Sequence, residues 1–153
     1  MSDKYRKNVG VVVYKEGKVL LCARADKKDF QWQFPQGGIE DGEDFIEAGK
    51  RELFEETGIK NIRLIATISE PIRYDFPKKI DFIPFKGQDQ YWVLFEFLGD
   101  DNEIKFDINP ECIEFKAFRW DNIDVASEEI VYFKKDVYKK VVKQFKPFVE
   151  RQK

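Results

Sequence analysis

Histidine is missing altogether from these 153 residues. That single absence excludes Ser-His-Asp and Cys-His nucleophilic catalysis, an HExxH zinc site and any imidazole general base. Cysteine is scarce. Cys22 and Cys112 lie far apart and form no CxxC pair, so the chain reads as a protein with two reduced, buried thiols and no disulfide framework. No stretch approaches 18 consecutive apolar residues, and the opening MSDKYRKN has no apolar h-region. Membrane insertion and secretion are therefore not expected, and the cytoplasm is. Charge of one sign is also lacking in bulk: 27 Lys and Arg face 29 Asp and Glu, a net −2. This argues against coating of nucleic acid by bulk charge, and DNA is not an expected partner.

What is present is globular composition, 42% hydrophobic and 37% charged, with 15 phenylalanines as core filler. The length fits one domain, residues 1–153, able to bury roughly two-thirds of its unfolded surface. VGVVVY at 9–14 and KVLLCA at 18–23 flank Glu16-Gly17 and predict a hairpin. Residues 26–33 read as loop, and FPQGG at 34–38 as a turn with unusual backbone angles. Asp44 to Thr57 predicts a helix, with acids at its start and Gly58 at its end. Strands are expected at 61–69, 72–76, 91–98 and 115–120, a loop at 78–89 and a turn at 99–103. Val137, Val141, Phe145 and Phe148 set an amphipathic helix over 134–151. The order is that of one α+β domain, mostly sheet in its body.

The chemistry is concentrated in GGIEDGEDFIEAGKRELFEETGI, residues 37–59. Glu52, Glu55 and Glu56 stand at i, i+3 and i+4 and share a helix face. Each like-charge pair costs an isolated helix about 0.2–0.5 kcal/mol. A hard divalent cation offsets this directly, because Mg²⁺ and Mn²⁺ take oxygen ligands and accept phosphate oxygens beside carboxylates. Glutamate-rich helices are more often merely solvated. The flanking glycines, where backbone can approach a ligand closely, favour the site reading. The spacing of Arg51, Leu53 and Phe54 suggests an apolar face in the core and carboxylates turned outward.

The segment resembles the Nudix box, G-x5-E-x7-R-E-U-x-E-E-x-G-U with U apolar. Gly37, Glu43, Arg51, Glu52, Leu53, Glu55, Glu56, Gly58 and Ile59 fill every fixed position. The resemblance implies the Nudix fold, a mixed sheet sandwiched between helices, with the box as loop–helix–loop. It implies hydrolysis of a nucleoside diphosphate linked to another group, with Mg²⁺ or Mn²⁺ as cofactor and more than one ion per site. Glu52, Glu55 and Glu56 would be metal ligands, joined by a backbone carbonyl near Gly37. Arg51 would orient the glutamates, and Glu43 would hydrogen-bond within the box. The base would be a carboxylate: Glu56, Glu55 or, outside the box, Glu114.

YRKNVGVVV at 5–13, WQFPQGGIEDGE at 32–43, GQDQYWVLF at 87–95, EFKAFRW at 114–120 and FKKDVYKKV at 133–141 are similar to the bacterial RNA pyrophosphohydrolases and to the related dinucleoside polyphosphate (Ap4A-type) hydrolases. This branch implies phosphate contacts from Arg6 and Arg24, a metal-site role for Glu114, base stacking by Phe133, a phosphate contact from Lys134 and an aromatic near the polyphosphate at Tyr74. Core packing is the rival reading for Phe133, an ordinary strand carboxylate for Glu114 and a solvated helix face for Lys134. The chain departs from the branch at Asp89 and Tyr91, where relatives carry basic residues. The substrate expected is a 5′-triphosphate or diphosphate RNA end, with a dinucleoside polyphosphate as the alternative. A third reading, an idle binding module, goes with loss of a box glutamate or the arginine, and none is lost here.

The charge is also unevenly placed. Residues 37–56 hold eight acids (Glu40, Asp41, Glu43, Asp44, Glu47, Glu52, Glu55, Glu56) and two bases (Lys50, Arg51), so the remainder is net basic. The mild acidity is one carboxylate site on a body suited to an anionic substrate.

Overall fold

The computed structural model describes residues 4–77 and 84–151. Strands β1 (Tyr5–Lys15), β2 (Lys18–Arg24), β3 (Trp32–Gln33), β4 (Gln36–Gly38), β5 (Ile62–Asp75), β6 (Gly87–Phe97) and β7 (Phe115–Asp121) form one mixed sheet. Helix α1 (Phe45–Thr57) covers one face; α2 (Ile123–Glu129) and α3 (Lys135–Glu150) cover the other. This is the sandwich that the sequence resemblance implied. Among the described residues, no helix is long and apolar enough to cross a membrane.

The centre of the sheet explains its own sequence. β1 runs parallel to β6 over ten register pairs and antiparallel to β2 and β4. Helices lie on both faces, so Val9, Val11, Val12 and Val13 are all fully buried, and the strand reads as a continuous apolar run. Odd and even positions of β1 then feed two separate cores. Val12 and Tyr14 join Trp92, Tyr138 and Phe145 on the α3 side; Val9, Val11 and Val13 join Leu53, Phe95 and Ile59 on the α1 side.

Several expectations change. The two strands read at 61–69 and 72–76 are one bent strand, β5, whose register with β6 shifts between Ile68 and Ile72. Pro71, which has no N–H to give to a ladder, sits inside that irregularity. β6 begins at Gly87 rather than 91, because Gln88 and Gln90 are buried there and make side-chain hydrogen bonds that no apolar alternation announces. Residues 84–86 are loop as expected, and 78–83 lie outside the described residues. α2 had no counterpart in the sequence reading, being too short for periodicity. It is started by Asn122, whose side chain accepts from the Asp124 N–H, and it buries Ile123 and Ala126. The two thiols are free but not both buried: Cys22 is in the core and Cys112 is exposed.

Candidate active site

The site is built on α1 and the short strand before it. Asp44 opens the helix by accepting from the Ile46 N–H, and Gly58 closes it in the left-handed conformation (φ 77°), its N–H bonded to the Phe54 carbonyl. Leu53 anchors the middle of the helix in the core. Arg51 then becomes a hub. Its Nε and Nη2 hold both oxygens of Glu43 at 2.8 and 2.9 Å. Nη1 reaches Glu52 at 2.9 Å and Glu55 at 3.4 Å, and Nη2 also donates to the Gly38 carbonyl at 3.0 Å. The fork, with the Glu40 N–H on Glu43 Oε1, holds the Glu43 carboxyl down to about 2. Glu43 therefore braces Arg51, and Arg51 relieves the repulsion among the helix carboxylates.

The expected outward face of carboxylates does not form. Glu55 is exposed, but Glu56 is only 6% exposed and turns inward, while Phe54 on the same turn faces solvent. The helix packs so close to β4 that this face is roofed by the strand. A Cβ on Gly37 would overlap the Glu52 carboxylate, and one on Gly38 would overlap the Arg6 guanidinium. The paired glycines are thus needed for close approach. Burial pushes the Glu56 carboxyl up to about 10, reinforced by Glu52 and then Glu114, with the Gln36 backbone N–H acting the other way.

Glu56 faces a polar cavity of about 110 Å³, which it lines with Glu114, Arg24, Gln33 and Gln36. Glu114, from the edge of β7, thus meets the box residues across this space. Among the described residues, no three acidic, cysteine or histidine side chains converge closely enough to form a finished cation cage. The residues nonetheless fit a hard divalent cation. Glu56 Oε1 is buried without a hydrogen-bond partner, Glu52 lies beside it, and every charged donor here is oxygen.

Arg24 and Gln33 also line a second cleft of about 180 Å³, with Trp32, Phe133 and Lys134. The two spaces therefore share a wall. Arg24 is held in a bidentate pair with Asp26 at 2.9 and 2.6 Å. Phe133 is half-buried at the cleft, its ring 6.1 Å from Tyr74. Tyr74 is buried, and its hydroxyl donates to Gln88 at 3.2 Å. Lys134 is not on a solvated helix face. It is 5% exposed, its ammonium 5.7 Å from the Tyr74 ring and 3.5 Å from Gln36 Oε1, and burial with nearby Arg24 lowers it to about 8. Arg6 is exposed on β1.

A chain of amides at the site carries no signal in the sequence. Gln90 Nε2 donates at 2.8 Å to both Asn8 and Gln36, so Gln36 is gripped between β6 and Lys134. Buried amides are satisfied only by tertiary partners, and no local signal marks them. At the two unusual positions, Asp89 is paired with Arg73 at 2.7 Å, and Tyr91 stacks on Phe45. A larger hollow of about 650 Å³ lies at the opposite end of the sheet, by the β1–β2 turn, and holds none of these residues.

Comparison with known proteins follows the same outline. Residues 4–141 match the NUDIX domain family. An RNA pyrophosphohydrolase of Caulobacter vibrioides is 41% identical over 152 residues, covering 95% of this chain and 88% of that protein. Among solved structures, an Escherichia coli dihydroneopterin triphosphate pyrophosphohydrolase aligns with a TM-score of 0.68 at 20% identity, over 92% of this chain and 98% of that one. A Caenorhabditis elegans Ap4A hydrolase in a binary complex aligns with a TM-score of 0.65 at 19% identity, over 92% and 97%. At such identities the two structures speak for the fold.

Proposed function

This chain belongs to the NUDIX family, and we propose that it is a pyrophosphohydrolase that removes pyrophosphate from the 5′-triphosphate end of RNA, leaving a 5′-monophosphate. The observation that carries the reading is the shared wall. Arg24 and Gln33 belong both to the carboxylate cavity and to the aromatic, cationic cleft of Phe133 and Lys134. A base against Phe133 would place its 5′ phosphates between Lys134, Arg24 and the glutamates. The match over residues 4–141 supports reading the whole chain as one such domain.

Enzymes of this family work with divalent metal ions. In our reading the ion is Mg²⁺, with Mn²⁺ able to replace it and more than one ion per site, held by Glu52, Glu55, Glu56 and Glu114 with backbone oxygen near Gly37. The metal, when bound, supplies neutralisation of the polyphosphate and activation of water. The protein's own part is positioning and charge. Arg51 and Glu43 fix the glutamates. Lys134, Arg24 and Arg6 bind phosphate oxygens, Phe133 takes the base, and Tyr74 backs Phe133. Water attacks phosphorus, its proton passes to Glu56 or Glu114, and the anhydride bond breaks to release pyrophosphate. Such a reaction needs no covalent nucleophile, which suits a chain without histidine.

One observation favours a second reading. Asp89 stands where the resembling branch carries lysine, and here it is paired with Arg73 at 2.7 Å, so this pair adds no net positive charge for a triphosphate. A dinucleoside polyphosphate, gripped by two bases, depends on that charge less. Rates with Mg²⁺ on triphosphorylated RNA, Ap4A, Ap5A and plain dNTPs decide between them. Pyrophosphate release from RNA at the highest kcat/KM supports the RNA end. Intact RNA beside cleaved Ap4A moves the assignment to the second reading.

A further inference from the structure

The two most exposed large apolar side chains among the described residues are Tyr132, at 70%, and Phe30, at 60%. They belong to the two segments that wall the 180 Å³ cleft. Phe30 is not loose: its ring stacks on Trp32 with centroids 5.7 Å apart and planes 13° from parallel. Trp32 is fixed in turn by the Arg119 guanidinium, 4.7 Å from its ring. Lys116 donates to the carbonyls of Lys27 and Lys28 at 2.5 and 3.2 Å, and its ammonium lies 4.9 Å from the Phe30 ring. An aromatic pair is thus held rigidly at the surface although core burial would be the cheaper fate of a phenylalanine.

Its surroundings select the occupant. Lys27 and Lys28 form no ion pair among the described residues, while Lys116 is committed to their carbonyls. Flat aromatic faces beside unpaired cations are what single-stranded nucleic acid uses, because bases stack on the rings and phosphates find the lysines. Trp32 lines the cleft with Phe133 and Lys134, so the platform continues the proposed path of the 5′ end rather than forming an isolated patch.

We propose that Phe30, seated on Trp32, is a subsite for a nucleobase downstream of the 5′ end of single-stranded RNA, through which the enzyme distinguishes a chain from a short nucleotide. This rests on the RNA-end reading above. The test is kcat/KM on 5′-triphosphorylated RNAs of two and six nucleotides, for the unaltered protein, Phe30→Ala and Phe30→Tyr, with melting curves to verify folding. The unaltered enzyme prefers the longer RNA. Phe30→Ala lowers that preference about five-fold or more, mainly through KM, and Phe30→Tyr keeps it. If the unaltered enzyme releases pyrophosphate from neither RNA, the RNA-end reading itself falls, and the subsite with it. If it cleaves both and Phe30→Ala keeps the full length preference, the subsite alone is overturned.

Discussion

The two long helices cover the same sheet and bury opposite kinds of side chain. α3 buries Val137, Tyr138, Val141, Val142, Phe145 and Val149, a continuous apolar face. α1 buries Ala48, Gly49 and Leu53, then a glutamate and a threonine. Full burial of one large apolar side chain contributes roughly 1.5–3 kcal/mol, so α3 is held by its core contacts. α1 has too few of these. It is held by its caps and by Arg51, which ties the helix to the preceding loop and to β4. A helix that buries a glutamate with one oxygen unpartnered has given up stability for chemistry, and its opposite number supplies the stability.

This contrast can be broken from either side. The largest expected effect is on α3. Phe145→Ala, at a fully buried position in the core cluster that includes Tyr14 and Trp92, should cost about 3–5 kcal/mol in urea unfolding, while the kcat of the folded fraction stays the same. Glu56→Gln on α1 should do the reverse: a fall of about a hundred-fold or more in kcat with no drop in melting temperature, since a carboxyl that burial keeps neutral is exchanged for a neutral side chain of the same shape. Glu55→Gln should likewise abolish hydrolysis and leave the fold intact. A Glu55→Gln enzyme with full activity would remove that residue from the metal ligands.

Arg51→Lys tests whether the hub is a matter of shape or only of charge. A lysine cannot grip both Glu43 oxygens and still reach Glu52 and Gly38, so kcat should fall about 10–100-fold, with weaker metal affinity by titration. The smallest effect concerns Lys134, the one charged residue that the α3 side buries among the described residues. Its ammonium is depressed to about 8 in the fold. Below that pH the penalty of burying the charge is fully present, and it is relieved as pH rises from about 8 towards 10.5. Lys134→Met should therefore melt a few degrees higher than the unaltered protein at pH 7, with the gap closing by pH 10. Its KM for triphosphate should be raised at pH 7, and the unaltered enzyme should approach that KM above pH 8.

Much of this was readable along the chain. The 9–14 and 18–23 runs, the acids at the helix start with Gly58 at its end, and the 3.6-residue spacing of Val137, Val141 and Phe145 are local signals, and each produced its element. The box could be located because its nine positions lie within 23 residues of one loop and helix. The failures share a cause. Gln88 read as loop and Gln90 fell outside the expected strand because their partners, Tyr74, Asn8 and Gln36, are distant in sequence. Lys134 looked like a solvated charge because nothing adjacent shows that Tyr74 and Gln36 cover it.

The sequence by itself determined which chemistry is open to this protein. The lack of histidine put acid–base and metal chemistry on carboxylates, lysines, tyrosines or the two cysteines, and the spacing of the glutamates with Arg51 defined the box. Only the tertiary structure decided which carboxylate is buried, because Glu52, Glu55 and Glu56 are equivalent on an isolated helix. They become different once β4 closes over one side of it, at a distance that only Gly37 permits. The tertiary structure also decided that Arg24 and Gln33 face two spaces at once. Periodicity fixes the face of a helix or strand. What that face meets depends on how distant segments pack, and there the desolvation of a charge is set.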